Sequence, residues 1–556
     1  MAPRKRLECF LYGTSLGNVI HKHSCSKCVV CATTFGYFWR VVGNRLSWLI
    51  LIRQCNHKQV EFCSPYMQTT YGNVSDNYSL FETPVQPTNT ALVEGIRLVA
   101  IGKYGAKSLN KTLKNRIVEE LENIESQMRN WNKSTEDNSL YQRQVLQRAA
   151  FLGSLYMKPN WTEDEQEILR KYELGFAPSN KPCSEASLLL AVHPNSFQRL
   201  EECHLTEHVL KLLQNNHLST EEAEQLGEFI LECKTLTDAC LSAMILHILR
   251  VRHETSAELI GIAAACRKAM NNNDSLWKSS LGFQTKRPIS VLQITEPFDG
   301  VVKSPMVTPL VAKHIAEKYG IWTVLIGSDT SGPKYGMNLK MLVEKLGEAR
   351  IPRVTSRNHL EEMFHSQSSP RVVYMDLEDV CPALSKLTYL RRTIIKRPCL
   401  ATVEKAINYI DADALLTSAF HPNYVDKMLK IGATQHFLQV FVLSGGIEGG
   451  LAFPVGGRSG ITISSFSQDG SNIQFLDNQT FTPTQVLPED IRTNIRYENS
   501  PSWLSRNVQL ISHFWDQHGS NDKVFDAVVN ATIQSLDFLQ NKLTHVSNHT
   551  YVSKSG

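Results

Sequence analysis

The stretch Ile289–Gly327, ISVLQITEPFDGVVKSPMVTPLVAKHIAEKYGIWTVLIG, is where the chain changes period. ISVLQI and WTVLIG are short β-branched runs, whereas TPLVAKHIAEKY between them repeats apolar residues at helical spacing. This predicts strand, loop, helix and strand. The alternation continues through NLKMLVEKLGEA, RVVYMD, QVFVL and ITISSF, which implies βαβ units. The expected fold class is α/β: an N-terminal helical domain, then an α/β domain with a largely parallel sheet flanked by helices. After Pro483 the pattern is helical again, and the last helix, within SNDKVFDAVVNATIQSLDFLQNKL, is expected to pack on the sheet's face.

Working backwards from residue 290, the pattern is helical to about Ala91, with few β-branched runs. Ser219 followed by Glu221 and Glu222 is a helix start, since the hydroxyl accepts free first-turn amides and the acids favour the positive helix end. A second helix is expected from about Thr237 to Arg252, with Ala239, Ala243, Met244, Ile248 and Leu249 along one side, and a third from Ser256. The order of segments from SLNKTLKNRIVEELENI to QRAAFLGSLYMKPNWTEDEQEIL echoes that from HLSTEEAEQLGEFILEC to DACLSAMILHILRVRHETSAELI, so two copies of a small helical unit are expected. The resulting scheme is a transit-like segment 1–60, a linker 61–90, a helical extension 91–200, a helical domain 201–283, an α/β domain 284–546 and a tail 547–556.

The first sixty residues contain nine Lys or Arg against one acid, Glu8, a composition that reads as an organelle transit sequence, a plastid address among them; a basic extension on a cytoplasmic protein is the alternative. Cys25, Cys28 and Cys31 with His21 and His23 have half of a zinc-site spacing and lack a second ligand pair at loop distance. The other cysteines, such as Cys203, Cys233, Cys240 and Cys266, are scattered singly, as reduced core thiols are. A net charge of +4 neither demands nor excludes an acidic partner. No apolar run approaches the roughly 20 residues that span a bilayer; LSWLILI is short and flanked by Arg45 and Arg53, so no membrane partner is expected.

Ligands of α/β sheets sit at the C-terminal ends of strands. The first such loop carries Asp299 and Gly300 as a turn, then Lys303, Ser304 and a helix starting near Thr308; free amides, a hydroxyl and an ammonium there can bind an anion. The structural alternative is a plain turn before a helix.

This region resembles the family of anthranilate phosphoribosyltransferase and the related nucleoside phosphorylases. The family's GTGGDG and following segment ending NxST align without a gap on TEPFDG and VVKSPMVT, matching Asp299, Gly300 and Thr308. The paired glycines are Pro297 and Phe298 here, the Asn is Pro305 and the Ser is Val307. The family's KHGNR falls on LIGSD, with Gly327 kept and Ser328 beside it, and Lys334 and Gly336 match further on. Pro382, Ala383, Arg391, Arg392 and Arg397 match a later family segment. The resemblance implies phosphoribosyl transfer from phosphoribosyl diphosphate to anthranilate or another nitrogen acceptor, as in tryptophan biosynthesis, by a homodimer joined through its helices. It implies donor and phosphate binding by Asp299, Gly300, Lys303, Ser304, Thr308, Gly327, Ser328 and Lys334, and recognition of the anthranilate carboxylate by Arg391. Magnesium is the implied cofactor, but the family's metal positions are Val307, Gly450 and Leu451 here. A branch of the family that lacks the usual diphosphate motif is thought to bind nucleic acid, and the run KLTYLRRTIIKR, with Lys386, Arg391, Arg392, Lys396, Arg397 and Tyr389, fits that alternative.

Overall fold

The computed structural model describes residues 41–42, 45–46, 90–102, 105–129, 139–173, 181–272, 291–365, 371–454, 460–469, 472–491 and 501–537. The chain divides into a unit of residues 1–63 and a unit of residues 64–556. In the first, β1 (Val41–Val42) pairs antiparallel with β2 (Arg45–Leu46). The transit-like composition, the Cys and His cluster, the expected linker and the C-terminal tail otherwise lie outside the described residues.

The second unit opens, among the described residues, with ten helices: α1 (Ala91–Val99), α2 (Lys111–Arg129), α3 (Ser139–Tyr156), α4 (Glu163–Arg170), α5 (Glu185–Val192), α6 (Ser196–Glu202), α7 (Thr206–Leu213), α8 (Thr220–Glu232), α9 (Leu236–Arg252) and α10 (Ser256–Asn272). Helix α8 starts at the expected cap, where Ser219 and Glu222 exchange side-chain and backbone bonds in a capping box. Helix α9 differs from the one-sided pattern expected. Every residue but Arg250 is buried, because it packs against α3 on one side while other helices cover the rest. Ala239 and Ala243 therefore lie in the core of a single chain.

The internal echo has a structural counterpart at two buried glutamates. Glu165 accepts from the amide of Leu109 at 3.0 Å and that of Thr162 at 2.9 Å, and pairs with Lys158 at 2.7 Å. Glu258 accepts from the amides of Leu218 at 2.9 Å and Thr255 at 2.8 Å, and pairs with Arg252. Each carboxylate thus joins the start of its unit's first helix to the start of its third, with a basic residue from the end of the second as counter-ion.

The α/β half consists of β3 (Val291–Thr295), α11 (Thr308–Tyr319), β4 (Trp322–Gly327), α12 (Leu339–Leu346), α13 (Arg357–His365), β5 (Val372–Asp376), the short helices α14 (Leu377–Val380), α15 (Pro382–Lys386), α16 (Thr388–Thr393) and α17 (Leu400–Ala406), β6 (Ala414–Ala419), α18 (Asn423–Thr434), β7 (Gln439–Ser444), β8 (Ile461–Asp469), β9 (Asn472–Phe481), α19 (Pro483–Val486), α20 (Pro501–Gln517) and α21 (Lys523–Leu536). The sheet order is β5-β4-β3-β6-β7-β8-β9. Strands β3 to β7 run parallel, and β8 and β9 add an antiparallel edge. Strand β6 was not among the expected runs: ALLTSA ends in small residues that give little β signal, yet all six are buried.

Alternate residues of the central strands serve two cores. Trp322, Val324 and Ile326 face the helical half, and Leu292, Ile294, Leu325 and Phe441 pack with Phe525 and Val528 of α21, which covers the other face as expected. Buried on both sides, these strands read as near-continuous apolar runs.

Two histidines in the helical half are fully buried and neutral. His193 meets the Thr237 hydroxyl at 3.0 Å, and His247 lies 2.7 Å from the Ser154 hydroxyl and 2.9 Å from the Ile394 carbonyl. Burial, reinforced by nearby arginines, pushes both imidazoles down to about 3 from 6.5. Below pH 6.5 the unfolded chain takes up protons that the folded chain refuses. Their contribution is therefore complete above pH 6.5 and falls away toward pH 3, by about 1.4 kcal/mol per pH unit for each histidine. Urea titrations between pH 7 and pH 5 should show this loss, and His247→Gln, which keeps hydrogen-bonding capacity without the titration, should flatten the slope by one histidine's share.

Candidate functional site

The strand order reverses at β3, with β4 and β5 on one side and β6 and β7 on the other. Such a switch point opens a crevice at the C-terminal strand ends. The loop after β3 lies at those strand ends and is fastened to the loop after β4: Val301 and Met337 exchange amide bonds of 2.9 and 3.0 Å, and the Gly336 amide donates to the Asp299 carbonyl at 3.0 Å. Gly300 and Gly336 make this possible. Gly300 has φ +77°, and a Cβ on Gly300 would lie 2.5 Å from the Gly336 carbonyl oxygen, while one on Gly336 would lie 2.6 Å from that of Val301.

Charged groups gather on this double loop. Asp299 is buried and paired with Arg397. The Lys334 ammonium donates to the carbonyls of Glu448 at 2.9 Å and Gly300 at 3.3 Å, and lies 3.7 Å from the Glu448 carboxylate. Burial lowers its pKa, with Asp299 and Glu448 working in the opposite direction. Lys405, next to β6, donates to the Ser418 carbonyl; burial, then the nearby Arg397, pushes it down to about 8.

Besides Asp299, three further carboxylates of the chain take donors at these strand ends. Glu296 accepts from the Thr308 hydroxyl and from the Leu451 amide at 2.8 Å, and burial raises its pKa. Glu404 receives both terminal nitrogens of Arg391, one at 2.9 Å; burial raises its pKa against the pull of that guanidinium. Glu448 accepts from the amides of Val302 and Lys303, each at 2.6 Å.

The structure brings Asp299, Gly300, Lys303 and Lys334 to one corner, with Thr308 on Glu296 beside it. The Ser304 hydroxyl turns to the Pro305 carbonyl at 3.0 Å. Gly327 and Ser328 end β4, where Gly327 lies against Tyr374 and the Lys340 amide, and the Ser328 carbonyl accepts from Asn338 at 2.9 Å. Arg391 is buried with an internal carboxylate in the place of the external one that the resemblance implies. The basic run is largely engaged too: Arg392 donates to the Thr330 carbonyl at 2.7 Å, Arg397 pairs with Asp299, and Tyr389 is buried, while Lys386 is exposed.

Magnesium needs a near-octahedral set of oxygen ligands. Val307 and Leu451 are buried hydrocarbons, Gly450 has no side chain, and Glu296 and Glu448 already accept from amides and a hydroxyl. The residues present do not fit the ion, and among the described residues no group of three His, Cys, Asp or Glu side chains is placed to hold a metal.

Sequence reasoning missed Glu296, Glu404 and Lys405. Their signal was weak but present: Glu296 directly follows the strand VLQIT, and the Glu404-Lys405 dipeptide interrupts the mostly apolar helix LATVEKA after the basic run. The turn residue Asp299 was legible; that it and Glu448 flank Lys334 was not.

No family model matches this sequence. An uncharacterized protein of Aquifex aeolicus (strain VF5) is 28% identical over 237 residues, 42% of this chain. The match spans 64% of that relative's length. Solved structures to which the chain is similar include anthranilate phosphoribosyltransferases. The Saccharomyces cerevisiae enzyme in complex with PRPP and Mg has a TM-score of 0.41 at 12% identity, covering 62% of this chain and 99% of that one. The Thermus thermophilus enzyme has 0.35 at 18%, covering 60% and 97%. The α/β architecture itself stands on the strand order and two-sided burial described above.

The clamp between Gly300 and Gly336 has a measurable weight. Gly336→Ala must push the two loops apart, at an expected cost of about 1–3 kcal/mol in denaturant titrations, the usual scale for overpacking. The mobility of a spectroscopic label at Lys303 should rise with it; unchanged stability would show that the loops are not fastened there.

Proposed function

We propose that this chain is a phosphoribosyltransferase-like protein whose switch-point crevice binds a phosphate-bearing ligand, phosphoribosyl diphosphate by resemblance. The observation that carries this reading is the corner itself: two consecutive amides, those of Val302 and Lys303, stand beside the Lys334 ammonium, and Lys405 adds to the positive field. Adjacent amides with a cation form an anion site without any sequence-specific chemistry.

Transfer to a nitrogen acceptor is the reaction that the resemblance implies, and it needs no covalent nucleophile. In-line displacement requires positioning and neutralisation of the leaving diphosphate. Here that neutralisation falls to Lys334 and Lys405, since the residues do not fit magnesium and Arg397 already has Asp299. The Arg391–Glu404 pair favours an acceptor other than anthranilate, because the guanidinium already has its carboxylate. Binding with little or no transfer to anthranilate is thus the reading supported best. An organelle address, a homodimer and a polynucleotide partner stand as proposals from composition and resemblance; strong salt dependence of polynucleotide binding would favour the last of these.

Calorimetric titration of the full chain with phosphoribosyl diphosphate, with and without magnesium, tests the reading alongside a transfer assay with anthranilate. Binding that is insensitive to magnesium and unaccompanied by turnover is expected. Lys334→Met should weaken it about tenfold to a hundredfold, the range for a charge-assisted hydrogen bond. Rapid turnover with anthranilate, or no binding at all, would refute the proposal.

A further inference from the structure

Among the three internal carboxylates, Glu448 stands apart. Glu296 and Glu404 are buried and tie interior groups together, whereas the Glu448 side chain is 13% exposed beside the exposed Lys303. Its backbone has φ +57° and ψ +12°, left-handed for a residue with a Cβ, between Gly445 and Gly446 on one side and Gly449 and Gly450 on the other. A side chain in that conformation costs about 1–2 kcal/mol, so other contacts must hold it there. The contacts observed are one carboxylate oxygen on the amides of Val302 and Lys303, the other near Lys334, and the Glu448 carbonyl on the same ammonium. Two adjacent amides and an ammonium are also the donors that one edge of a phosphate group takes.

We propose that Glu448 is a built-in competitor for the phosphate site. A phosphate or diphosphate group gains the Val302 and Lys303 amides and the Lys334 ammonium by displacing the Glu448 carboxylate, and the glycine-flanked turn at 445–450 carries that side chain away. The inference rests on the phosphate-binding reading above and adds a regulated form of it: affinity is the intrinsic affinity reduced by the fraction of molecules in which Glu448 is off the corner. No covalent step is involved.

The test is calorimetric titration of inorganic pyrophosphate into the full chain and into Glu448→Gln, which keeps the side-chain length and removes the charge. The variant is expected to bind about tenfold more tightly, the change that follows when the open form rises from about a tenth to nearly all of the population. Equal or weaker binding by the variant, with wild-type binding intact, overturns the competitor and leaves the phosphate reading standing. Absence of binding by both proteins removes both. Hydrogen–deuterium exchange of the wild-type chain decides the matter even where the variant folds poorly. Pyrophosphate should slow exchange at 301–304 and speed it at 445–450, whereas slowing at both segments would overturn displacement.

Discussion

Everything at the strand ends depends on pairing charges that the fold has taken out of water. Asp299 with Arg397 and Glu404 with Arg391 each place a carboxylate where the loss of hydration is steep. Such pairs add little net stability over apolar residues of the same shape, but removing one partner leaves an isolated charge, at a cost of about 3–5 kcal/mol. The loops are therefore held in register by the penalty of separating them more than by the strength of any one contact. The Gly300–Gly336 clamp adds a steric reason for the same arrangement.

The helical half takes part in this arrangement. His247 meets the carbonyl of Ile394, Gln147 donates to that of Thr393 at 3.4 Å, and Arg250 donates to that of Arg397. These bonds fasten the backbone from which Arg391 and Arg397 reach into the crevice. Helices α3 and α9, which supply the three donors, are the middle helices of the two segments that share the buried-glutamate arrangement. Both segments thus contribute to the site by fixing the stretch that bears its arginines.

Periodicity made most of the architecture legible. The helix TPLVAKHIAEKY and five of the seven strands of the large sheet stand where β-branched runs and helical spacing place them, because burial on both faces leaves a strong apolar pattern. ALLTSA was silent because it ends in small residues and has a single β-branched side chain. The candidate site was legible only in part for a related reason. Local sequence reveals a turn at Asp299 and Gly300 and a cation at Lys334, but the partner of Arg391 lies thirteen residues on and the carboxylate at the Val302 amide comes from 146 residues away. Spacing along the chain carries no information about which carboxylate reaches which donor across a sheet.

A phosphoribosyl donor brings several negative charges, and the transition state of transfer leaves them on a departing diphosphate while the sugar becomes cationic. With Asp299 and Glu404 already neutralising Arg397 and Arg391, the unopposed positive field at this corner is small until a carboxylate moves or takes up a proton. Burial raises the pKa of Glu296 and Glu404, which brings their neutral forms closer to reach, and displacing Glu448 frees two amides and an ammonium at one stroke. The electrostatics of this crevice therefore make phosphate binding an exchange of one anion for another. On the phosphate reading proposed above, that exchange suits retention of a ligand better than stabilisation of a leaving diphosphate at every turnover.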